Sequence, residues 1–118
     1  MRKITKRSLT KLLDKEISRI TRLKGYCVKC NKEDNLQCCH IFSRIYRSTR
    51  WDLHNVLCLC AGCHFWNHKN PILFAEFVKI YLGKYNYNNL KLKATMIKKW
   101  TLEEMQELLE DLKEVNNA

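Results

Sequence analysis

Long hydrophobic runs are missing from this sequence. No stretch approaches the roughly 18 consecutive apolar residues that a membrane-spanning helix needs, and the N-terminus lacks the compact apolar core of a signal peptide. Internal repeats and low-complexity tracts are also missing, and the chain contains only one proline and three glycines. We therefore expect a cytoplasmic protein without a membrane partner.

Acidic residues are in short supply. The chain has 12 Asp and Glu against 22 Lys and Arg, which gives a formal net charge of +10. A surface of this charge attracts polyanions, most commonly nucleic acid. The charge is uneven, because residues 1–24 contain nine Lys or Arg against two acids and residues 101–118 contain six acids against one Lys. We expect the nucleic-acid surface on the first two thirds of the chain.

The length of 118 residues allows one modest hydrophobic core. We expect a single α+β domain over residues 1–118, made of three parts. These are a basic amphipathic helix in residues 1–24, a cysteine-containing central part over residues 25–70, and helices over residues 71–118.

Apolar residues recur at helical spacing in the first part: Leu9, Leu12, Leu13, Ile17 and Ile20. Such a helix packs its leucine face on the core. Its basic residues are either ordinary solvated charges or DNA phosphate contacts, and both readings can hold together. The candidate contacts are Lys11, Lys15, Arg19 and Arg22.

Short apolar runs in the second part predict two strands, at residues 36–41 and 56–59. The polar loop between them is long enough to suggest a function. Its arginines are either ordinary solvated charges or candidate phosphate contacts: Arg44, Arg47 and Arg50. A helix is predicted from Pro71 to Gly83, a weaker one over 90–97, and another after the capping box of residues 101–104.

Two CxxC pairs are the most specific motif of the chain. Cys27, Cys30, Cys60 and Cys63 supply four thiolates, the ligand type and number that a structural Zn²⁺ takes. The remaining cysteines, at positions 38, 39 and 58, are expected to be small buried hydrophobic residues. The spacing of His64 and His68 also places two imidazoles on one face of a helix, where they can share a second metal ion.

Together these residues resemble a known family, the HNH endonucleases of the ββα-metal or His-Me finger group, in the version with two CxxC zinc knuckles. His40, Asn55 and His64 stand where the family has its H, N and H. The stretches CHIFSR, RSTRWDLHNV, LCLCAGCH, NPILFAEF and YLGKYN are similar to small phage and prophage HNH nucleases, including recombination nucleases of the NinG type. The resemblance implies a ββα-metal, treble-clef-like HNH zinc core over residues 25–70.

The resemblance also implies an activity, the hydrolysis of DNA phosphodiester bonds to 5′-phosphate and 3′-hydroxyl ends. His40 would be the general base, and His64 with His68 would hold a catalytic divalent ion, Mg²⁺, Mn²⁺, Ni²⁺ or Zn²⁺. Asn55 would brace the loop and orient His40 through an amide hydrogen bond, or else simply cap a strand. The substrate would be duplex or branched DNA in phage or prophage recombination, in the host cytoplasm, with a homodimer as one arrangement.

One departure from the family pattern concerns the residue before the general base, where many HNH enzymes have a further metal ligand and this chain has Cys39. The ion would then rely on water and substrate oxygens, or on another group such as Asp52. We expect His54 to face solvent, and Trp51 and Trp66 to pack over the zinc knuckle. Two other functions stay open, a non-catalytic zinc-finger DNA-binding accessory protein and a protein-interaction zinc domain.

Overall fold

The computed structural model describes residues 3–115 and has an α+β architecture. An N-terminal helix is followed by a two-stranded antiparallel hairpin and a helical C-terminal part. The elements are α1 (Lys6–Arg22), β1 (Leu36–His40), a 3-10 helix (Leu53–Asn55), β2 (Val56–Cys60), α2 (Ala61–Lys69), α3 (Pro71–Leu82), α4 (Lys84–Thr95) and α5 (Leu102–Lys113).

Helix α1 lies within the predicted segment 1–24, of which residues 1 and 2 fall outside the described part. It begins at Lys6 because the Thr5 hydroxyl accepts a hydrogen bond from the Ser8 amide, while the Ser8 hydroxyl accepts one from the Thr5 amide. Its apolar face is narrower than the sequence pattern suggested. Leu13 and Ile17 are fully buried, whereas Leu12 is 44% exposed.

Helix α5 packs against α1 and completes one hydrophobic cluster. The capping box predicted at its start is present, since the Thr101 hydroxyl accepts from the Glu104 amide and the Glu104 carboxylate accepts from the Thr101 amide. Buried side chains from both helices meet here with Trp51: Leu9, Leu13, Ile17, Met105, Leu109 and Leu112.

The hairpin lies between this cluster and a second one. Strands β1 and β2 pair with Cys38 opposite Cys58 and His40 opposite Val56. Side chains alternate between the two faces of a strand, so Cys38 packs toward α1 and α5 while Cys39 lies in the second cluster. That cluster joins the hairpin to α3 and to two cysteines of the CxxC pairs: Cys27, Cys39, Leu57, Leu59, Cys60, Phe74 and Val78.

The C-terminal helices differ from the sequence prediction at one place. Helix α3 begins at Pro71 and is followed by Gly83, which has φ +84° and turns the chain directly into α4. Helix α4 therefore starts at Lys84, not near residue 90. Its Asn-rich first turns have low helix propensity, but burial of Leu90 and Ala94 stabilises the helix through packing.

The two tryptophans predicted to pack over the zinc knuckle lie in different hydrophobic clusters. Trp66 packs on the cluster that contains Cys27 and Cys60, as expected. Trp51 was placed wrongly, because it is buried between α1 and α5, with the Trp100 ring edge-on at 5.3 Å. No helix in the described range is long and apolar enough to cross a membrane.

A pair of neighbouring leucines tests the packing of α1. Leu13→Ala should lower the free energy of unfolding by about 2–5 kcal/mol, because it leaves a cavity in a fully buried site. Leu12→Ala, on the exposed side of the same helix, should cost less than about 1 kcal/mol. Urea denaturation of both variants measures the difference, and equal losses would contradict the packing described here.

Candidate metal centre and catalytic cavity

Four cysteine sulfurs meet at one point of the structure. The Sγ atoms of Cys27, Cys30, Cys60 and Cys63 all lie within 4.8 Å of one another, and those of Cys30 and Cys60 are 3.6 Å apart. A tetrahedral Zn²⁺ with Zn–S bonds of about 2.3 Å separates its sulfurs by about 3.8 Å. This four-cysteine cluster therefore has the ligand type, number and spacing of a structural zinc site, as the two CxxC pairs predicted.

The first knuckle is formed by a tight turn. The Cys27 amide donates to the Lys32 carbonyl at 2.7 Å, and the Asn31 amide donates to the Cys27 carbonyl at 2.8 Å. Asn31 has φ +68°, in the left-handed region that asparagine tolerates better than most residues. This turn brings Cys30 back beside Cys27.

The second knuckle lies where β2 passes into α2. Cys60 is the N-cap of α2, and its sulfur accepts a hydrogen bond from the Cys63 amide at 3.4 Å. The positive end of a helix dipole favours a thiolate at this position. Since α2 carries His64 and His68, a metal bound to Cys60 and Cys63 also fixes the helix that presents both imidazoles.

The thiols of the cluster have opposing pKa shifts. Burial alone would raise the pKa of Cys27, but hydrogen bonds from backbone groups of Cys60, Cys30 and Lys29 lower it to about 6. Burial, followed by the three neighbouring thiols, raises the pKa of Cys63. Adjacent thiolates repel one another, so these four thiols cannot all ionise without a cation. A bound metal ion would relieve this repulsion.

The other cysteines are not part of this cluster. Cys39 and Cys58 are buried, as predicted, whereas Cys38 is only partly buried. Burial raises the pKa of Cys39 to about 12, so it stays a neutral thiol. Its sulfur accepts a hydrogen bond from the Asn67 amide at 3.2 Å.

A cavity of about 780 Å³ lies along β1, on the side away from β2. Six consecutive residues, 36–41, line its floor, while Asp14, Ser18 and Arg22 of α1 form part of one wall and α2 forms part of the other. The imidazoles of His40, His64 and His68 all line this cavity. The three histidines that the sequence singled out therefore come together.

The ring of His40 is held by a backbone carbonyl. Its Nε2 lies 2.9 Å from the Arg50 carbonyl oxygen, and because a carbonyl only accepts, Nε2 carries the proton. The Nδ1 atom is then left with a free lone pair. Burial lowers the pKa of His40, which keeps the ring neutral at pH 7.

Asn55 is fully buried and braces the loop between the strands. Its side-chain amide donates to the carbonyls of Phe42 and Thr49 at 2.9 and 3.0 Å, and its oxygen accepts from the Phe42 amide at 2.8 Å. The expected direct hydrogen bond to His40 is not among these contacts, because the loop carbonyl of Arg50 holds the ring instead. Asn55 bonds to the carbonyl of Thr49, the residue before the Arg50 whose carbonyl contacts the ring.

The pair on α2 has a partner that sequence reasoning missed. The ring centroids of His64 and His68 are 5.0 Å apart, and Nδ1 of His64 lies 2.7 Å from the Gln37 side-chain oxygen. An amide oxygen accepts, so Nδ1 carries the proton and Nε2 of His64 is free to bind a metal. The only sequence signal for Gln37 was a polar residue within a strand.

A third protein ligand for an ion at His64 and His68 is not evident. Between residues 3 and 115, the four-cysteine cluster is the one group of three or more His, Cys, Asp or Glu side chains that come close enough to hold a metal. Asp52 does not fill the position, because its carboxylate accepts hydrogen bonds from His54 and Lys93 in a different cavity. The His54 side chain is 93% exposed, as expected.

The basic residues proposed to contact DNA fall into two groups. Arg50 and Arg19 are engaged within the protein: Arg50 pairs with Asp14 at 2.6 Å, and Arg19 pairs with Glu16 and donates to the Leu112 carbonyl. Whether these two also contact DNA phosphates stays a prediction. The other five are exposed, and the first two of them line the cavity: Arg22, Arg44, Arg47, Lys11 and Lys15.

Comparison with known proteins gives no match to this chain among protein-family models, curated proteins or solved structures.

Loss of one ligand should empty the four-cysteine cluster. Cys27→Ser should reduce the zinc content from about one ion per chain to none and lower the melting temperature, because metal binding contributes directly to folding in such sites. Elemental analysis with thermal denaturation measures both. Cys38→Ala, outside the cluster, is the control and should keep its zinc; retention of zinc by Cys27→Ser would contradict the assignment.

Proposed function

We propose that this protein is a metal-dependent HNH endonuclease that hydrolyses DNA phosphodiester bonds and leaves 5′-phosphate and 3′-hydroxyl ends. The observation that carries the proposal is the convergence of His40, His64 and His68 on one cavity. The order of two antiparallel strands followed by a helix agrees with a ββα-metal core, with the zinc cluster at the junction of β2 and α2. The family resemblance of the motifs supports the same reading.

His40 is suited to be the general base of this reaction. Its Nε2–H donates a hydrogen bond to the Arg50 carbonyl. Nδ1, which keeps a free lone pair, is therefore the atom that takes a proton from the attacking water. The lowered pKa of His40, caused mainly by burial, keeps that lone pair available at neutral pH. Asn55 supports the geometry by bonding to Phe42 near the start of the loop and to the carbonyl of Thr49, the residue before Arg50.

His64 and His68 are the residues that would hold the catalytic ion. A divalent cation at this place supplies electrostatic stabilisation for the charge that develops on the phosphate and the leaving 3′ oxygen. Gln37 orients His64, and water or phosphate oxygens would complete the coordination, because the described chain offers no third ligand there. Two imidazoles suit Mn²⁺, Ni²⁺ and Zn²⁺, and Mg²⁺, which prefers oxygen ligands, would depend more on water and phosphate oxygens.

Positive charge around the cavity suits a DNA substrate. Arg22 and Arg44 line this cavity. Arg44 and Arg47 line an adjoining cavity of about 570 Å³. These exposed guanidinium groups can hold phosphates on either side of the scissile bond. We propose phage or prophage recombination, or a related DNA-processing step, as the setting, with duplex or branched DNA as the substrate.

Replacement of the proposed base is the decisive test. His40→Ala should lower the rate of metal-dependent plasmid cleavage by at least about 100-fold, since it removes general base catalysis, while zinc content and DNA affinity stay unchanged. The matched control is His54→Ala, which removes an exposed imidazole outside the cavity. Cleavage by His40→Ala at the rate of the control would show that His40 is not the base.

The orienting role of Gln37 gives a second test. Gln37→Ala should weaken Mn²⁺ binding at His64 and His68 by about 10- to 100-fold, because the partner that fixes the His64 ring is lost. Isothermal titration of the zinc-loaded protein with Mn²⁺ measures this change. Gln106→Ala, on α5, is the control, and equal Mn²⁺ affinities in the two variants would contradict the role of Gln37.

A non-catalytic zinc-finger DNA-binding protein is the second candidate. The observation that favours it is the two-histidine site, which has fewer protein ligands than most catalytic metal centres. Such a protein would bind DNA with a steep salt dependence, yet supercoiled plasmid would persist with every one of the four metals. The proposed nuclease requires relaxed or linear plasmid with at least one of them.

A further inference from the structure

The Arg50–Trp51 peptide group connects the proposed base to a carboxylate on α1. The Arg50 carbonyl oxygen accepts the hydrogen bond from His40 Nε2. The side chains on either side of that peptide group both donate to Asp14. Arg50 Nε and Nη2 reach the two carboxylate oxygens at 3.0 and 2.6 Å, and Trp51 Nε1 reaches Oδ1 at 2.8 Å.

We propose that Asp14 is a positioning residue for the His40 imidazole and that it acts through this peptide group. The inference rests on the proposed nuclease function. A single carboxylate anchors two consecutive side chains, so it restricts the rotation of the peptide group between them. The direction of the Arg50 carbonyl, and with it the tautomer and orientation of the His40 ring, then depends on Asp14.

The anchor lies on a rigid element. Asp14 follows Leu13 in α1, and both Leu13 and Ile17 are fully buried against α5. Trp51 is 4% exposed in the same cluster, which limits its own movement. The orientation of the His40 ring is thereby fixed by the packed α1–α5 pair, which is separate from the hairpin and the zinc cluster. This connection joins residues 14, 40 and 50, which are far apart in the sequence.

Other roles for Asp14 fit its surroundings less well. Its carboxylate faces the cavity, where an unpaired negative charge would repel a phosphate. Arg50 neutralises that charge, and Arg44 lies 4.0 Å away. Both carboxylate oxygens already accept strong hydrogen bonds, which makes Asp14 a poor ligand for a metal ion. A simple ion pair for stability would not require a second donor from Trp51.

The test measures the His40 tautomer and the kinetics in the full-length, zinc-loaded protein. Long-range ¹H–¹⁵N spectra of the imidazoles report which nitrogen carries the proton. The wild-type ring should be protonated at Nε2, and Asp14→Ala should give a mixture of tautomers. With plasmid DNA, Asp14→Ala should lower kcat by about 10- to 100-fold and change KM by less than about twofold.

Two further variants complete the design. Asp14→Asn keeps an oxygen acceptor without the charge, so it should lie between the wild type and Asp14→Ala in both tautomer and kcat. Asp34→Ala removes an exposed acid from the loop before β1 and should match the wild type. If Asp14→Ala does not fold, the His40 tautomer and kcat are measured in Asp14→Asn and Trp51→Phe instead. Trp51→Phe removes the indole donor to Asp14.

The outcomes separate this inference from the proposed function. An unchanged His40 tautomer in the folded Asp14 variants overturns the role of Asp14, whatever happens to activity. A changed tautomer with wild-type kcat supports the positioning role of Asp14 and counts against His40 as the general base. If the wild-type protein cuts no DNA with any metal, the nuclease proposal fails, whereas the tautomer measurement still decides whether Asp14 holds the ring.

Discussion

The four-cysteine cluster is the constraint on which the rest of the structure depends. Helix α2 has no buried residue, so hydrophobic packing alone does not determine its position. Its first turn is held by Cys60 and Cys63, and these are joined to the first knuckle through the shared metal ligand set. Because α2 presents His64 and His68, a metal ion bound by the four cysteines would fix the part of the cavity that carries both imidazoles.

The loop of residues 41–52 depends on a different set of interactions. A connection of this length without regular structure is unusual in a small protein, and this one is held from three directions. Asn55 braces it internally, Asp14 holds it from α1, and Ser48 donates to the Lys93 carbonyl at 2.6 Å on the C-terminal side. Trp100 adds a hydrogen bond to the Arg47 carbonyl. The loop that holds the His40 ring is therefore positioned by segments from both ends of the chain.

Local patterns in the sequence predicted the features that depend on neighbouring residues. The leucine spacing of α1, the capping box at Thr101, Pro71 at the start of α3 and the two CxxC pairs each correspond to structure, because each motif satisfies a local requirement of backbone or metal. The patterns did not predict contacts between distant segments. The pairing of Arg50 with Asp14, the burial of Trp51 beside Trp100 and the early start of α4 all arise from tertiary packing, which overrides local preference. Gln37 was missed for the same reason, since its partner lies 27 residues away.

The floor of the cavity has one further consequence for the behaviour of this protein. Within the described chain β1 pairs only with β2, so its other edge has no neighbouring strand. Bare edges of this kind invite strands from other molecules and promote aggregation. Here residues of α1 and α2 line the cavity on either side of β1, so the two helices hinder the approach of a flat sheet from a neighbouring molecule. The same two helices thus form walls of the cavity and shield the free edge of the strand.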